Sequence, residues 1–463
     1  MNQRVRFNPE LVKRYDVAGP RYTSYPTAVQ FHEGFDADLY RRFVSMSNDE
    51  LIPVPLSLYV HLPFCRSLCY YCGCNKKITR NEELAGSYLD LLCREIQLQG
   101  QLFDPDREVT QLHFGGGTPT FFDDIQLERL MAELGHTFHF GPVEEREFSI
   151  EVDPRTVDHG RLAWLAGLGF NRISLGVQDT DPEVQKAVNR IQDREATMAM
   201  VSSARALGFN SVSIDLIYGL PLQTRETFRR TLETVVQARP DRLAVYNYAH
   251  MPHIFRSQRM IQEADIPSPE TKLELMETTI HMLGEAGYVY IGMDHFALPE
   301  DELTLAQASG HLHRNFQGYS THSECDLVGL GVSAIGKIGD CYAQNLKEIP
   351  RWESAVKRGE LPIWRGISLS GEDLTRAGII EAIMCHGQIN FADVERRFGL
   401  DFSDHFAPEL SELQHLADDG LIELNEEGFA VSPEGRLLLR NVAMVFDEYL
   451  HSHKNQPRFS RVI

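Results

Sequence analysis

The sequence predicts an α/β fold, an incomplete parallel (β/α) barrel with an N-terminal extended segment and a small, mainly α-helical C-terminal domain. Three observations carry this. Short β-branched and aromatic runs recur at residues 56–61, 109–114, 147–152, 172–177, 211–217, 242–248 and 288–293. Between them lie amphipathic stretches, such as Ile125, Leu127, Leu130, Met131 and Leu134, or Leu273, Met276, Ile280 and Leu283, each spaced to bury one helical face. The polar and glycine-rich residues of interest fall at the carboxyl ends of the runs, where parallel α/β folds bind ligands. Strands separated by helices imply βαβ units and a parallel sheet. Six or seven such units, short of eight, leave one side open for a large flat substrate.

Ahead of the first strand, residues 1–50 form an N-terminal segment that contains Gly19-Pro20-Arg21-Tyr22-Thr23-Ser24-Tyr25-Pro26-Thr27. Its prolines and tyrosines predict an extended, ordered chain, placed to act as a substrate lid. Residues 51–369 carry the barrel pattern. Over residues 370–463 the pattern changes to helices at 374–384, 391–398 and 408–418. A hairpin follows, with strands at 421–424 and 429–431 joined through Asn425-Glu426-Glu427-Gly428. This resembles a small winged helix. Glu409, Glu412, Asp418, Asp419, Glu423, Glu426 and Glu427 crowd it, so a lid or structural role fits better than DNA reading.

Composition narrows the function. The 463 residues hold 45 Lys+Arg against 66 Asp+Glu, a net charge of −21, with no basic block, so nucleic acid is not expected as a partner. Hydrophobic residues at 43% and charged residues at 24% are ordinary for a globular protein. No apolar run reaches the length of a membrane span, and the start Met1-Asn2-Gln3-Arg4-Val5-Arg6-Phe7 has no apolar signal core. A cytoplasmic monomer is the expectation.

Of eight cysteines, Cys65, Cys69, Cys72 and Cys74 fall together, whereas Cys93, Cys325, Cys341 and Cys385 are scattered and read as small buried hydrophobes. A tight cluster in a reducing compartment points to metal. Cys65-x3-Cys69-x2-Cys72 places three thiolates on one loop, which leaves one iron of a [4Fe–4S] cubane without a protein ligand. That iron can chelate an amine and a carboxylate, which S-adenosylmethionine provides. The alternative is a zinc knuckle with Cys74 as fourth ligand. Structural zinc normally ties two separated ligand pairs, and this cluster is one loop.

The spacing, with Tyr71 before the third cysteine, resembles the radical S-adenosylmethionine superfamily, and Gly115-Gly116-Gly117-Thr118-Pro119 is similar to its glycine-rich loop. The chain further resembles the oxygen-independent coproporphyrinogen III oxidases, also called coproporphyrinogen dehydrogenases. The residues that carry this are His61-Leu62-Pro63-Phe64, Cys72-Gly73-Cys74-Asn75-Lys76, the N-terminal Gly19 to Thr27 run and Ser149-Ile150-Glu151-Val152-Asp153-Pro154. Gly176-Val177-Gln178, Ile214-Asp215-Leu216-Ile217-Tyr218-Gly219-Leu220-Pro221, His313-Arg314-Asn315-Phe316-Gln317-Gly318-Tyr319 and the terminal Phe459-Ser460-Arg461-Val462-Ile463 extend the match over nearly the whole chain. Tyr71 stands where some relatives carry Phe.

The resemblance implies that Cys65, Cys69 and Cys72 hold the cluster. It implies that Tyr59, Gly116, Glu151 and Ile335 contact the S-adenosylmethionine on it. A second S-adenosylmethionine would meet Tyr71, Gly117, Thr118, Gln178, Arg190, Asp215 and Ala249. Tyr59, Glu151 and Arg190 are the residues expected at the reacting groups. The implied reaction decarboxylates two propionates of coproporphyrinogen III to vinyl groups, giving protoporphyrinogen IX, through a 5′-deoxyadenosyl radical. It requires a reductant for the cluster and an electron acceptor of unknown identity. Arg21 and Arg190 are candidate partners for the substrate carboxylates. The rival reading is a haem chaperone of the same superfamily, whose pattern lacks both Cys74 and the N-terminal Pro-Arg-Tyr run. A winged-helix regulator with a sensory cluster is a third class, which the acidic C-terminal region disfavours.

Read residue by residue, the same positions keep plainer alternatives. Glu151 and Asp215 end strands, where carboxylates accept from hydroxyl or amino groups. Asp153, ahead of Pro154, reads as a helix cap. Gln178 offers donor and acceptor, or is a satisfied amide at a strand end. Arg190 reads alternatively as a solvated helix residue, and Tyr59, on the face of His61, as a core tyrosine. The glycine-rich stretches around Gln317 and from Leu330 to Ile335 read as closing elements around the ligand.

Overall fold

The structure, a computed structural model, describes residues 5–322 and 325–452, so the terminal Phe459 to Ile463 motif lies outside the described residues. Seven parallel strands form its centre: β1 (Leu56–Leu62), β2 (Glu108–Gly116), β3 (Glu147–Val152), β4 (Arg172–Gln178), β5 (Ser211–Tyr218), β6 (Arg242–Asn247) and β7 (Asp326–Leu330). Their order is β6-β5-β4-β3-β2-β1-β7, every neighbouring pair is parallel, and among the described residues the sheet does not close. The incomplete parallel barrel is therefore present.

Its membership differs from the sequence pattern at one place. The run at 288–293 forms Val289–Gly292, but it pairs antiparallel with His295–Ala297, which in turn lies antiparallel on β6. It extends the sheet edge and is not a barrel unit. The seventh parallel strand is β7, which carries none of the sequence runs and ends where the stretch from Leu330 to Ile335, read as a closing element, begins. Beyond β7 the sheet continues antiparallel through Ile335–Ile338, Cys341–Asn345 and Ile363–Ser368.

Alternation explains how these strands make a binding site. Leu112, Phe114, Ile150, Val152, Leu175, Ile214 and Leu216 are buried in the layer shared with the helices. Gln111, His113, Ser149, Glu151, Ser174, Ser213 and Asp215, of the opposite parity, line the lumen. A purely structural parallel sheet would be apolar on both faces. Here one face is polar. Outside pack helices such as Asp124–Thr137, opened by a reciprocal Asp123–Gln126 capping box. Leu127, Leu130, Met131 and Leu134 face inward on it as the spacing predicts, but Ile125, in the first turn, is 77% exposed. Cys93, Cys341 and Cys385 are buried, and Cys325 is half-buried.

The seam between β1 and β7 depends on a buried ion pair. Arg107 Nη2 lies 2.7 Å from Asp326 Oδ2, and the same guanidinium donates to the Val54 carbonyl and to Asn48 Oδ1. Removing either charge alone would strand the other, at a cost of about 3–5 kcal/mol.

A second core gathers the C-terminal helices Gly371–His386, Phe391–Phe398 and Ala407–Asp418 around the Ile422–Asn425/Gly428–Val431 hairpin. Gln388–Asn390, not apparent in the sequence, adds a third strand to that hairpin. Gly428 must be glycine, because its φ is +155° and a Cβ there would sit 2.0 Å from the Ile389 carbonyl oxygen. Leu11, Tyr22 and Tyr25 of the N-terminal segment belong to this core, and Tyr22 donates to Asp447 at 2.8 Å. Phe35, Tyr40 and Val44 belong to the barrel core. The N-terminal segment thus stitches the two cores together. Among the described residues no helix is long and apolar enough to cross a membrane.

Candidate active site

The cysteine loop leaves the carboxyl end of β1 and is pinned at both ends. Lys77 N donates to the Pro63 carbonyl at 2.7 Å, and Thr79 N to the Cys65 carbonyl at 3.0 Å. The glycine-rich turn after β2 docks on it, with Gly117 N donating to the Leu62 carbonyl and Thr118 N to the Phe64 carbonyl, both at 2.9 Å. Both glycines are required. A Cβ on Gly117 would lie 2.6 Å from the Pro63 carbonyl carbon, and one on Gly116, at φ +111°, would strike the His61 ring.

Around that loop lies a cavity of about 290 Å³. Cys65, Cys69, Cys72, Tyr71, Gly116, Gly117, Thr118, Glu151, Gln178, Arg190 and Asp215, eleven of the fourteen residues singled out in the sequence, line it together. Tyr59, Ala249 and Ile335 are not among its lining residues. The Tyr59 hydroxyl donates to His61 Nδ1 at 3.0 Å, while His61 Nε2 meets the Asn75 carbonyl at 2.9 Å, so the neutral imidazole links Tyr59 to the cysteine loop under Gly116. The Ala249 carbonyl accepts from Gln258, whose amide also holds the Tyr71 carbonyl. Ile335 packs beside Gly329 of β7.

The donor set suits iron–sulfur thiolates. Thr118 Oγ1 donates to Cys65 Sγ at 3.3 Å, and Arg190 Nη1 lies 3.5 Å and Arg155 Nη2 3.8 Å from Cys69 Sγ. A hydrogen bond from Cys74, together with nearby Lys76, draws the Cys72 thiol below its ordinary pKa despite burial. Cations and hydroxyls at sulfur favour the charged form that metal binding requires.

Arg190 is not a solvated helix residue. The helix Pro182–Ala187 ends before it, its side chain is 8% exposed, and it donates to the Gly176 carbonyl and pairs with Asp153 at 3.3 Å. Its donors are committed inside the protein, which leaves it a poor partner for a substrate carboxylate. Arg21 pairs with Asp294 and lies 5.7 Å from the centre of the Tyr246 ring. Asp153 does cap the turn Pro154–Thr156, accepting from Arg155 N, and it also pairs with Arg155 and Arg190. Arg155, Ser174 and Tyr246 also line the cavity, and no sequence motif marks them. Strand parity points to Tyr246, which follows Arg242 and Ala244 on the inward face of β6.

Two carboxylates of the cavity are driven apart. Burial opposes ionisation of Glu151, yet hydrogen bonds from His113 and from Gly116 N, at 3.4 and 3.0 Å, carry its pKa below the ordinary value. Asp215 is pushed up to about 7, chiefly by burial and further by the Glu151 charge, although Ser174 donates to it at 3.0 Å. The folded protein therefore holds the Asp215 proton more tightly than the unfolded chain. The stability that this proton contributes is lost as pH rises from about 4 through about 7. Asp215→Asn is expected to raise the thermal midpoint of the ligand-free protein more at pH 8 than at pH 5, followed by circular dichroism. An equal shift at both pH values would mean that Asp215 is not a buried acid.

Residues 59–235 match the radical SAM superfamily, and residues 369–438 match the HemN C-terminal domain. Fold and site together define a radical S-adenosylmethionine enzyme, with a [4Fe–4S] cluster and S-adenosylmethionine as its cofactors. The chain is 49% identical, over 99% of both chains, to the oxygen-independent coproporphyrinogen III oxidase of Pseudomonas aeruginosa, and 44% identical, over 99% of its own length and 98% of the relative's, to that of Synechocystis. The solved structure of coproporphyrinogen III oxidase from Escherichia coli, described as a radical SAM enzyme, superposes with a TM-score of 0.92 at 48% identity, covering 97% of this chain and 100% of that one. The chain belongs to the oxygen-independent coproporphyrinogen III oxidase family. This relationship supports the enzyme and not the haem chaperone.

Proposed function

We propose that the chain converts coproporphyrinogen III to protoporphyrinogen IX by anaerobic oxidative decarboxylation of two propionates. The observation that carries this is the single cavity in which Cys65, Cys69 and Cys72 meet the glycine turn and the carboxylates of β3 and β5. Cys65, Cys69 and Cys72 are the ligands that would hold the cluster. Bound there, the cluster and S-adenosylmethionine supply a 5′-deoxyadenosyl radical, made by one-electron reduction, that removes one hydrogen atom from a propionate β-carbon. The propionate then loses carbon dioxide and one electron to become a vinyl group.

The protein's own part is to bind, orient and exclude water. Ionised Glu151 and the Gly116 turn hold the cationic cofactor, with Tyr59 and Ile335 supporting the wall behind them. Tyr71, Gly117, Thr118, Gln178, Asp215 and Ala249 are suited to a second S-adenosylmethionine. Arg190 positions the Cys69 loop through Asp153 and Gly176. The segment within residues 1–50 serves as a substrate lid, 51–369 carry the catalytic barrel, and the small winged-helix-like domain that begins at residue 370 supports the lid. The chain works as a cytoplasmic monomer, with an external reductant for the cluster and a separate acceptor for the electron that leaves with carbon dioxide.

The test is an anaerobic time course with coproporphyrinogen III, reductant and S-adenosylmethionine. If each decarboxylation consumes one radical, about two methionines and two 5′-deoxyadenosines accompany each protoporphyrinogen. A ratio near one, with uncoupled cleavage excluded, would mean that the radical is recycled. No conversion at all would overturn the reading.

A further inference from the structure

Three cavities connect through shared lining residues, from the cysteine loop at the carboxyl ends of the strands toward their amino ends. The cysteine-lined cavity shares Glu151, Ser174, Asp215 and Tyr246 with a lumen cavity of about 170 Å³. The lumen cavity shares Asn315 with a third, of about 100 Å³, bordered by Tyr22 to Tyr25 of the N-terminal segment. The third is too small for a tetrapyrrole ring and large enough for one carboxylate arm. Among its described lining residues Glu381 is the single carboxylate; it is hydrogen-bonded to His313 Nδ1 at 3.0 Å and also faces Lys337, so the two cations of the wall outnumber it. Arg314 and Lys337 share its wall.

On this wall Arg314 has two nitrogens, Nε and Nη1, that are buried and find no hydrogen-bond acceptor among the described residues. Its guanidinium carbon lies 4.6 Å from the centre of the Tyr319 ring. A ring face satisfies the charge of a guanidinium but leaves the N–H groups at its edge unsatisfied. Buried donors are normally paired, and an unpaired one calls for an acceptor. On a wall with this balance of charge the acceptor is an anion. The surroundings agree, since burial and then the charges of Arg314, Arg21 and Arg242 push His295 down to about 3, which marks a positive field.

The geometry points to Arg314 as the anchor for one propionate carboxylate of the substrate, in the cavity under Tyr22 to Tyr25. The carboxylate enters past Asn315 while the reacting propionate stays in the lumen toward Glu151 and Asp215. Arg314 is thus a specificity residue for a polycarboxylate macrocycle. This rests on coproporphyrinogen III being the substrate.

The experiment compares the reconstituted wild type with Arg314→Met and Arg314→Lys. KM is measured for coproporphyrinogen III and for S-adenosylmethionine, and binding for coproporphyrin III and its tetramethyl ester by fluorescence. Arg314→Met is expected to raise KM for coproporphyrinogen III about tenfold or more, as loss of a charge-assisted bond predicts. Its KM for S-adenosylmethionine and its iron and sulfide content should stay at wild-type values. Its preference for the free acid over the ester should shrink, a change that a merely structural role would not produce. Arg314→Lys keeps the charge and should lie between the two. A KM for coproporphyrinogen III within about twofold of wild type, or an unchanged preference for acid over ester, overturns the assignment. Should Arg314→Met lose its cluster, the same two readouts on Arg314→Lys decide. A wild type that does not convert coproporphyrinogen III overturns the proposed reaction instead.

Discussion

Replacing Cys65, Cys69 or Cys72 by alanine is expected to remove bound iron and sulfide and to take turnover to background, whereas Cys74→Ala keeps its cluster. All four thiols border the same cavity, so position alone does not separate them. Their surroundings do. Cys65 receives a hydrogen bond from Thr118, and buried Cys69 faces the guanidinium groups of Arg190 and Arg155. Cys74 is exposed and supports Cys72 by hydrogen bonding. Three thiolates also suffice for a cubane whose fourth iron takes the substrate-like ligand. Iron and sulfide assays on anaerobically reconstituted variants measure this. A Cys74→Ala protein without iron, beside a Cys69→Ala protein that retains it, would reverse the ligand assignment.

Glu151→Gln is expected to spare the cluster and to raise KM for S-adenosylmethionine by about tenfold to a hundredfold, equivalent to the about 1.5–3 kcal/mol of a hydrogen bond to a charged group. The amide oxygen introduced by this substitution would still accept from Gly116 N, so the glycine turn keeps its support, and what disappears is the negative charge facing a cationic cofactor. Asp215 makes the control. Its pKa of about 7 keeps the carboxyl mostly protonated at pH 6, so at pH 6 Asp215→Asn removes little charge and should move the same KM far less. Initial rates at saturating coproporphyrinogen III give both constants. Equal effects of the two substitutions would mean that charge at Glu151 is not what holds the cofactor.

Much of this site is written in short stretches of chain. Cys65, Cys69 and Cys72 sit on one loop, Gly116 and Gly117 in one turn, and Glu151 near the end and Asp215 within strands whose period of two is visible residue by residue. Such features depend on neighbours within a few positions, so spacing and parity reveal them. Tyr59 shows the limit. Its parity with His61 is correct, yet only the fold shows that its hydroxyl reaches the His61 ring and stays off the cavity wall.

What the tertiary structure alone decided are pairings across long separations. Leu56 to Val60 of β1 lie in register with Asp326 to Leu330, and nothing local in either segment names the other. The run at 288–293 has the composition of a barrel strand, but His295–Ala297 takes the edge of β6 that it would have needed. Arg190 looks like a surface residue because the carbonyl of Gly176 and the carboxylate of Asp153, which offset the cost of its burial, come from other strands. Tyr22 and Tyr25 give no sign in sequence of joining a C-terminal core some four hundred residues away. A sequence sets which face of each element is apolar and which residues carry chemistry. Which faces meet is set by the burial of all of them at once, and that is a property of the whole chain.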